Sequence, residues 1–202
     1  MGMKFRFLLV FAVAFVLIFA VLNSRFILAN LEFWLQNGKM QQQGPPLNTE
    51  SAPREQLPNE AMLIIDNIGV RAPIIFNSTD NPNDIYENLE NGVALYPSTS
   101  KPGMDGVSVI LGHSSAYPWY KGAFGSVFAL LGKLKAGDKI YVEYADGQSF
   151  VFSVQQSIVF SPLSGDGRLS QIEKSEKSTL VLVSCWPIGT NYKRIAIEAE
   201  LQ

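Results

Sequence analysis

The feature that most constrains the fold is an uninterrupted apolar run from Phe7 to Leu22, FLLVFAVAFVLIFAVL, preceded by Lys4 and Arg6. A helix of about 20 apolar residues spans the hydrocarbon core of a bilayer, and flanking apolar residues extend a slightly shorter run. A cleaved signal peptide normally has an apolar stretch of only about 7–15 residues, ending in small residues. The sequence Ala12-Val13-Ala14, which has the form of such a cleavage site, lies inside the run. Residues 1–35 are therefore predicted to be an uncleaved signal-anchor with its interface.

The charges around the run predict its orientation. Lys4 and Arg6 favour a cytoplasmic N-terminus, although Arg25 on the other side weakens the bias. Residues 36–60 then contain many glutamines and prolines and few large apolar side chains. Such a segment cannot bury enough surface to fold, and its prolines stiffen it into a tether. We expect a single-pass membrane protein whose remaining domain, residues 61–202, lies on the extracytoplasmic side.

Residues 61–202 are predicted to be all-β, because short apolar or alternating runs are separated by turn signals. The last run alternates most clearly, with Ile195, Ile197, Ala199 and Leu201 on one face and two glutamates on the other. The other predicted strands are 62–65, 72–76, 107–111, 139–144, 149–159 and 179–184.

Two short helices are predicted among these strands. The first begins at Pro82 with Asn81 as its cap and ends at Asn91-Gly92. The second has an apolar stripe at Phe124, Val127, Phe128 and Leu131, closed by Gly132. About eight strands with two short helices predict a closed or nearly closed β-barrel.

Composition excludes several classes of function. The formal net charge is -2 and the sequence has no lysine or arginine run, so binding to nucleic acid is not expected. The chain has one cysteine and one histidine, which excludes an internal disulfide and a structural zinc site. We expect no cofactor and no metal, and any chemistry by a cysteine and a histidine must use Cys185 and His113.

Three residues near strand ends form a candidate site. Cys185 follows the apolar strand that ends at Ser184, His113 follows another strand, and Arg194 opens the last one. Each alone has an ordinary interpretation, as a buried small thiol, a polar loop imidazole or a solvated charge. Together they supply what acyl transfer by sulfur requires. A thiolate attacks, an imidazole moves the proton, and a guanidinium binds the oxyanion.

Four stretches of the domain, in chain order, resemble the sortase family of cysteine transpeptidases. They are LIIDNIGVRAPII (63–75), NGVALYPSTSKPGMDGVSVILGHSS (91–115), LGKLKAGDKIYV (131–142) and LVLVSCWPIGTNYKRIAI (180–197). The last one resembles the TLxTC…R block of the family, with Ser184 where threonine is usual. The resemblance covers essentially all of residues 61–202 and implies a sortase-like barrel.

The resemblance implies a two-step acyl transfer. Cys185 would attack a carbonyl in an LPxTG-like sorting signal of a surface protein, and His113 would protonate the leaving amine. An amine from a peptidoglycan precursor or a pilin lysine would then accept the acyl group. Arg194 would hold the substrate backbone and the oxyanion, Ser184 would contact the substrate, and residues 7–22 would hold the enzyme in the lipid bilayer.

The segment from Phe160 to Ser178 lies where the family builds its substrate-recognition loop, although its composition equally fits a solvated loop. Some sortases bind calcium near this loop, and Asp166, Glu173 and Glu176 are acidic residues within it. Their spacing is not that of an EF-hand, so no metal is predicted.

Three other functions share features with this sequence. The chain could be a non-catalytic, membrane-tethered β-barrel that binds a surface peptide or glycan, with Cys185 incidental. An L,D-transpeptidase is disfavoured, because that family carries a histidine several residues before its S-x-G-C motif and Val181–Ser184 contain none. A sortase-like hydrolase with water as acceptor has the same sequence features as a transpeptidase, and therefore stays an open alternative.

Overall fold

The structure, a computed structural model, describes residues 3–22, 27, 59–76, 79, 81–117, 120, 122–163 and 177–202. The predicted tether falls outside the described residues except for its last two positions. The acidic residues Asp166, Glu173 and Glu176 also fall outside them, together with most of the loop that contains them.

The apolar run forms helix α1 (Met3–Leu22), whose side chains from Leu8 to Val21 are exposed. Within the part of the chain that the structure describes, no helix meets the length and apolarity required to cross a membrane.

The domain is a closed β-barrel, which confirms the predicted all-β class. The described residues form eight strands, β1 (Ala61–Ile65), β2 (Val70–Phe76), β3 (Val93–Leu95), β4 (Val107–Leu111), β5 (Lys139–Tyr144), β6 (Ser149–Phe160), β7 (Thr179–Trp186) and β8 (Lys193–Leu201). Around the barrel they follow the order β1-β2-β3-β4-β7-β8-β6-β5, and β5 closes onto β1. The β2–β3 and β4–β7 pairs are parallel, whereas the other pairs are antiparallel.

The barrel interior is filled by branched and aromatic side chains that alternate along each strand. On β8, Ile195, Ile197 and Ala199 are buried in this core, as the alternation predicted. Leu63, Leu182 and Phe152 are also fully enclosed. Burying each side chain of this size contributes about 1.5–3 kcal/mol to stability, so the core holds the strands in one register.

The first predicted helix is confirmed as α2 (Pro82–Asn91). The Asn81 side chain accepts a hydrogen bond from the Asn83 backbone N–H at 3.1 Å, which satisfies a donor that the first turn leaves open. The helix ends at Gly92, where a Cβ atom would lie 2.3 Å from the Pro73 carbonyl oxygen. Glycine is needed there because helix and strand approach each other closely.

The second predicted helix differs in type from the prediction. The segment from Phe124 to Leu131 forms consecutive turns with i to i−3 hydrogen bonds and leads into a 3-10 helix, Leu131–Lys133. An α-helix would bond the Phe128 N–H to the Phe124 carbonyl, but here that N–H donates to the His113 carbonyl at 2.9 Å. A tertiary contact thus replaces the α-helical bond, and Gly132 lies within the 3-10 helix and does not terminate it.

We expect the same leucine-to-alanine substitution to lower stability at a buried core position and to leave it nearly unchanged at an exposed position. Leu63→Ala should lower the free energy of unfolding by about 2–5 kcal/mol, because Leu63 is fully buried and the change leaves a cavity. Leu163→Ala should change it by less than about 0.5 kcal/mol, because Leu163 is 96% exposed. Urea denaturation followed by tryptophan fluorescence measures both, and equal effects would contradict this placement of the core.

Candidate active site

The parallel β4–β7 pair brings His113 and Cys185 to neighbouring positions. The paired register ends at Leu111 and Val183, and the Gly112 N–H still donates to the Val183 carbonyl at 3.1 Å. Continuing this register by two residues places His113 beside Cys185. Adjacent strands lie about 4.8 Å apart, and residues two apart on a strand share a face. The continued register therefore predicts that the imidazole and the thiol lie on the same face of the sheet.

Arg194 lies directly across from Cys185 on the other side. The two residues are register partners in the antiparallel β7–β8 pair, in which opposite Cβ atoms are about 4.5–5.5 Å apart. The sequence placed Cys185 after the strand that ends at Ser184, whereas β7 in fact continues through Cys185 to Trp186. Pairing with β8 extends the strand and fixes the cysteine backbone in the ladder.

The Arg194 side chain is oriented by its own loop. Its Nη1 atom donates to the Asn191 carbonyl at 3.1 Å and to the Lys193 carbonyl at 2.9 Å. A guanidinium carries five N–H donors, so the Nε and Nη2 atoms provide further donors from a fixed plane. Lys193 pairs with Trp186 and not with Cys185, and its side chain belongs to the opposite face of the strand. Of these two neighbouring cations, the register therefore places Arg194 and not Lys193 opposite Cys185.

His113 is half-buried, and its surroundings shift the pKa of its imidazole in opposite directions. Burial lowers the pKa of His113 below its ordinary value, and the nearby Glu90 carboxylate raises it by a smaller amount. The net effect favours a neutral imidazole near neutral pH. A neutral ring can take the proton of a thiol, and the resulting imidazolium can return it to a leaving amine.

Close packing behind Gly112 fixes the backbone of His113. A Cβ atom at Gly112 would lie 2.4 Å from the ring of Phe128, which is fully buried. The Phe128 N–H also donates to the His113 carbonyl. The 122–130 segment is thereby tied to the end of β4, at the point where the imidazole emerges.

Ser184 connects β7 to the residues that follow β4. Its hydroxyl is buried and donates to the Gly112 carbonyl at 2.7 Å. This bond crosses from β7 to β4 one residue before both candidate side chains. The contact between Ser184 and substrate that the resemblance implies stays a prediction.

The loops that follow the two strands are also joined. The Gly189 N–H in the loop after β7 donates to the Ser115 hydroxyl in the loop after β4 at 3.0 Å. Within the first of these loops, Thr190 bonds the Pro187 carbonyl through both its N–H and its hydroxyl. Hydrogen bonds therefore hold together the loops that follow β4 and β7.

An apolar patch lies on the outer face of the barrel next to this site. Its buried members are Ile158, Val181 and Ala196, and the half-buried side chains around them are Val107, Val109, Phe160 and Val183. Strand alternation places Val181 and Val183 on the same face as Cys185, and Val107 and Val109 on the same face as His113. Val181 and Ala196 are thus already covered, and among the outward-facing valines Val107, Val109 and Val183 remain partly exposed.

Sequence reasoning missed the apolar patch, Glu90 and Tyr120. The Tyr120 ring meets the His113 ring edge to face, with centroids 5.3 Å apart and planes at 81°. No local pattern indicates these contacts, because each joins segments that are far apart in the chain. Among the described residues, no group of three or more acidic, histidine or cysteine side chains could hold a metal ion.

Comparison with known proteins gives a family match. A family model of the sortase domain matches residues 63–202. The chain belongs to the sortase family. The match runs from within β1 to the end of the chain and includes the three residues at the candidate site. None of the curated protein sequences matches the chain significantly.

Solved sortases share the fold at low sequence identity. Sortase A from Corynebacterium diphtheriae is 24% identical over 74% of this chain, with a TM-score of 0.57, and the match spans 63% of that chain. Sortase C-1 from Actinomyces oris is 23% identical over 86% of this chain and 97% of its own, with a TM-score of 0.58. The Clostridium perfringens Sortase D5 transpeptidase is 25% identical over 73% of this chain and 83% of its own, with a TM-score of 0.56.

We expect Gly112→Ala to destabilise the backbone that carries His113 in this sortase site. The added methyl group meets the buried Phe128 ring, so the free energy of unfolding should fall by about 1–3 kcal/mol. Phe128→Leu in the same chain should recover part of the loss, because the smaller side chain leaves room for the methyl group. A double-mutant cycle by urea denaturation measures this coupling, and strictly additive effects would show that the two residues do not meet.

Proposed function

We propose that this sortase-family protein is a membrane-anchored cysteine transpeptidase that cleaves an LPxTG-like sorting signal and transfers the acyl group to an amine. The observation that carries the proposal is that Cys185 on β7 pairs with Arg194 on β8, while His113 lies two residues beyond the end of β4, the strand on the other side of β7. Each residue type supplies a separate requirement of acyl transfer.

In the first step the Cys185 sulfur, deprotonated by His113, attacks the carbonyl carbon of the scissile peptide bond. The oxyanion that forms is stabilised by donors of the Arg194 guanidinium. The carbon–nitrogen bond then breaks, the leaving amine takes the proton from the imidazolium, and a thioester remains. An acceptor amine attacks the thioester and gives a proton to His113, the carbon–sulfur bond breaks, and the imidazolium returns the proton to the Cys185 sulfur.

The apolar patch supports a substrate that is extended and apolar beside the scissile bond. Val183 precedes Cys185 by two residues on the same face, and the half-buried Val107 and Val109 continue the partly exposed surface on the adjacent strand β4. A peptide chain lying along it would bury apolar side chains while its carbonyl reaches the sulfur. This agrees with the leucine and proline of an LPxTG-like signal, and the acceptor would be a peptidoglycan precursor or a pilin lysine.

Exchanges at Cys185 and Arg194 test the mechanism. Cys185→Ala should abolish cleavage of an LPxTG-type peptide, and Arg194→Ala should lower kcat/KM by about 10²–10³-fold through loss of oxyanion stabilisation. Lys193→Ala is the matched control and should stay within about threefold, because Lys193 belongs to the other face of β8.

The measurement is cleavage of a peptide library by the purified chain, with and without added amines, followed by mass spectrometry. A transpeptidase gives amine-linked product, and hydrolysis alone would point to water as acceptor. Cleavage by Cys185→Ala within a few-fold of the unaltered chain would exclude the thiol mechanism. Resistance of Cys185 to iodoacetamide until unfolding, with no peptide cleaved, would favour the non-catalytic binding module.

We further propose that residues 7–22 hold the protein in the bilayer, with the barrel on the extracytoplasmic side. The uninterrupted apolar sequence and the exposed side chains from Leu8 to Val21 support this proposal, since water does not stabilise such a surface. The charges of Lys4 and Arg6 support a cytoplasmic N-terminus.

Single cysteines test this topology. In a Cys185→Ser chain, Leu163→Cys should react with a membrane-impermeant maleimide on intact protoplasts, because Leu163 is 96% exposed on the barrel. Gly2→Cys in the same chain is the control and should react only after permeabilisation. The reverse pattern, or recovery of the full chain in the soluble fraction, would contradict the proposed location.

A further inference from the structure

The His113 imidazole has an aromatic neighbour that the proposed mechanism does not use. The ring of Tyr120 meets it edge to face, with centroids 5.3 Å apart and an angle of 81° between the planes. This is the favoured arrangement of two aromatic rings, because the positive edge of one faces the negative face of the other. The contact therefore restrains rotation of the imidazole.

The hydroxyl of Tyr120 is held at its far end. It donates a hydrogen bond of 2.8 Å to the carbonyl of Leu89, near the end of α2. Leu89 is the buried residue of that helix, so the acceptor belongs to a rigid element. The phenol thus connects the imidazole to α2, across 31 residues of sequence.

Two glycines leave the space that the Tyr120 ring fills. A Cβ atom at Gly122 would lie 2.7 Å from the ring and 2.7 Å from the Glu90 carbonyl oxygen. A Cβ atom at Gly125 would lie 2.8 Å from the same ring. Neither glycine has a positive φ, so the requirement is for space and not for an unusual backbone conformation. The ring is therefore confined by backbone as well as held by its hydroxyl.

We propose that Tyr120 is a positioning residue for His113, whose ring sets the orientation of the imidazole toward Cys185 and whose hydroxyl secures that ring to Leu89. Rotation of an imidazole by half a turn exchanges its two nitrogens, and only one orientation directs the required nitrogen at the thiol. A misdirected catalytic group lowers the rate of the chemical step while substrate binding is retained. The rate part of this inference rests on the proposed transpeptidase function, whereas the orientation part does not.

The sequence allows a direct measurement, because His113 is the only histidine in the chain. The chemical shift of its imidazole Cε1–H and its pH titration are read by NMR on the full chain carrying labelled histidine, without any substrate. Tyr120→Leu removes the ring and should move this signal toward the position of an unstructured histidine. Tyr120→Phe keeps the ring, loses the bond to Leu89, and should give a smaller displacement.

Two control variants distinguish loss of the Tyr120 ring contact from a change in the charge near His113 and from an unspecific effect of a tyrosine substitution. Tyr86→Leu makes the same exchange at a tyrosine of α2 that is 64% exposed, and should leave the His113 signal unchanged. Glu90→Gln removes the carboxylate that raises the pKa of His113, so it should lower that pKa while the ring contact remains. Titratable neighbours of the imidazole in these titrations are Glu90 and Tyr120 on one side and Cys185 on the adjacent strand.

Peptide cleavage gives the second readout. Tyr120→Leu should lower kcat by about 10–100-fold with KM within about threefold, and Tyr120→Phe should lower kcat by about two- to tenfold. An unchanged His113 signal in both variants would overturn the proposal, as would a displaced signal with unchanged kcat. If Tyr120→Leu fails to fold, Tyr120→Phe decides by the same two readouts.

The two proposals fail differently. Activity that survives Cys185→Ala would remove the proposed function, and the NMR signal would still report whether Tyr120 orients His113. A loss of kcat in Tyr120→Leu that comes with an equal rise in KM and an unmoved imidazole signal would mean a role in substrate binding, and would contradict positioning.

Discussion

The parallel pairing of β4 with β7 is the interaction on which the proposed chemistry depends. Its register runs from Val107–Thr179 to Leu111–Val183, and the backbone bond from Gly112 to Val183 carries it one step further. A shift of one residue would turn the imidazole or the thiol to the other face of the sheet. The filled core prevents such a shift, because it would bring the outward side chains of β7 into the interior.

The site is supported from three directions. Beneath the strand ends, the Ser184 hydroxyl joins β7 to β4 through the Gly112 carbonyl. Behind the imidazole, Phe128 packs against Gly112 and replaces an α-helical bond with one to the histidine backbone. Beside it, Tyr120 reaches α2. These contacts give the proposed acid–base group a defined position before substrate arrives, and such preorganisation is what acyl transfer needs.

The outer and inner faces of the barrel have different roles. The inner face holds the fold, with residues such as Leu182 and Ile197 enclosed completely. The outer face of the same strands carries the apolar patch around Val181 and Ala196, together with the proposed catalytic residues Cys185 and Arg194. Strand alternation allows one segment to do both, since consecutive side chains point to opposite faces. The apolar character of β7 therefore fits a strand with the barrel core on one face and the buried part of the apolar patch on the other.

The sequence by itself determined the all-β class, most strand positions, α2 with its Asn81 cap, and the pair of Cys185 and His113 as the available thiol and imidazole. These follow from local patterns and from counting, which need no knowledge of distant contacts. Tertiary structure decided what local patterns cannot carry. It made the segment around Phe128 a series of turns, extended β7 through Cys185, selected Arg194 over Lys193 as the partner across the ladder, and brought Tyr120 and Glu90 to the imidazole. Each of these depends on strand register or on packing between segments that are distant in the chain, and only the closed barrel fixes both.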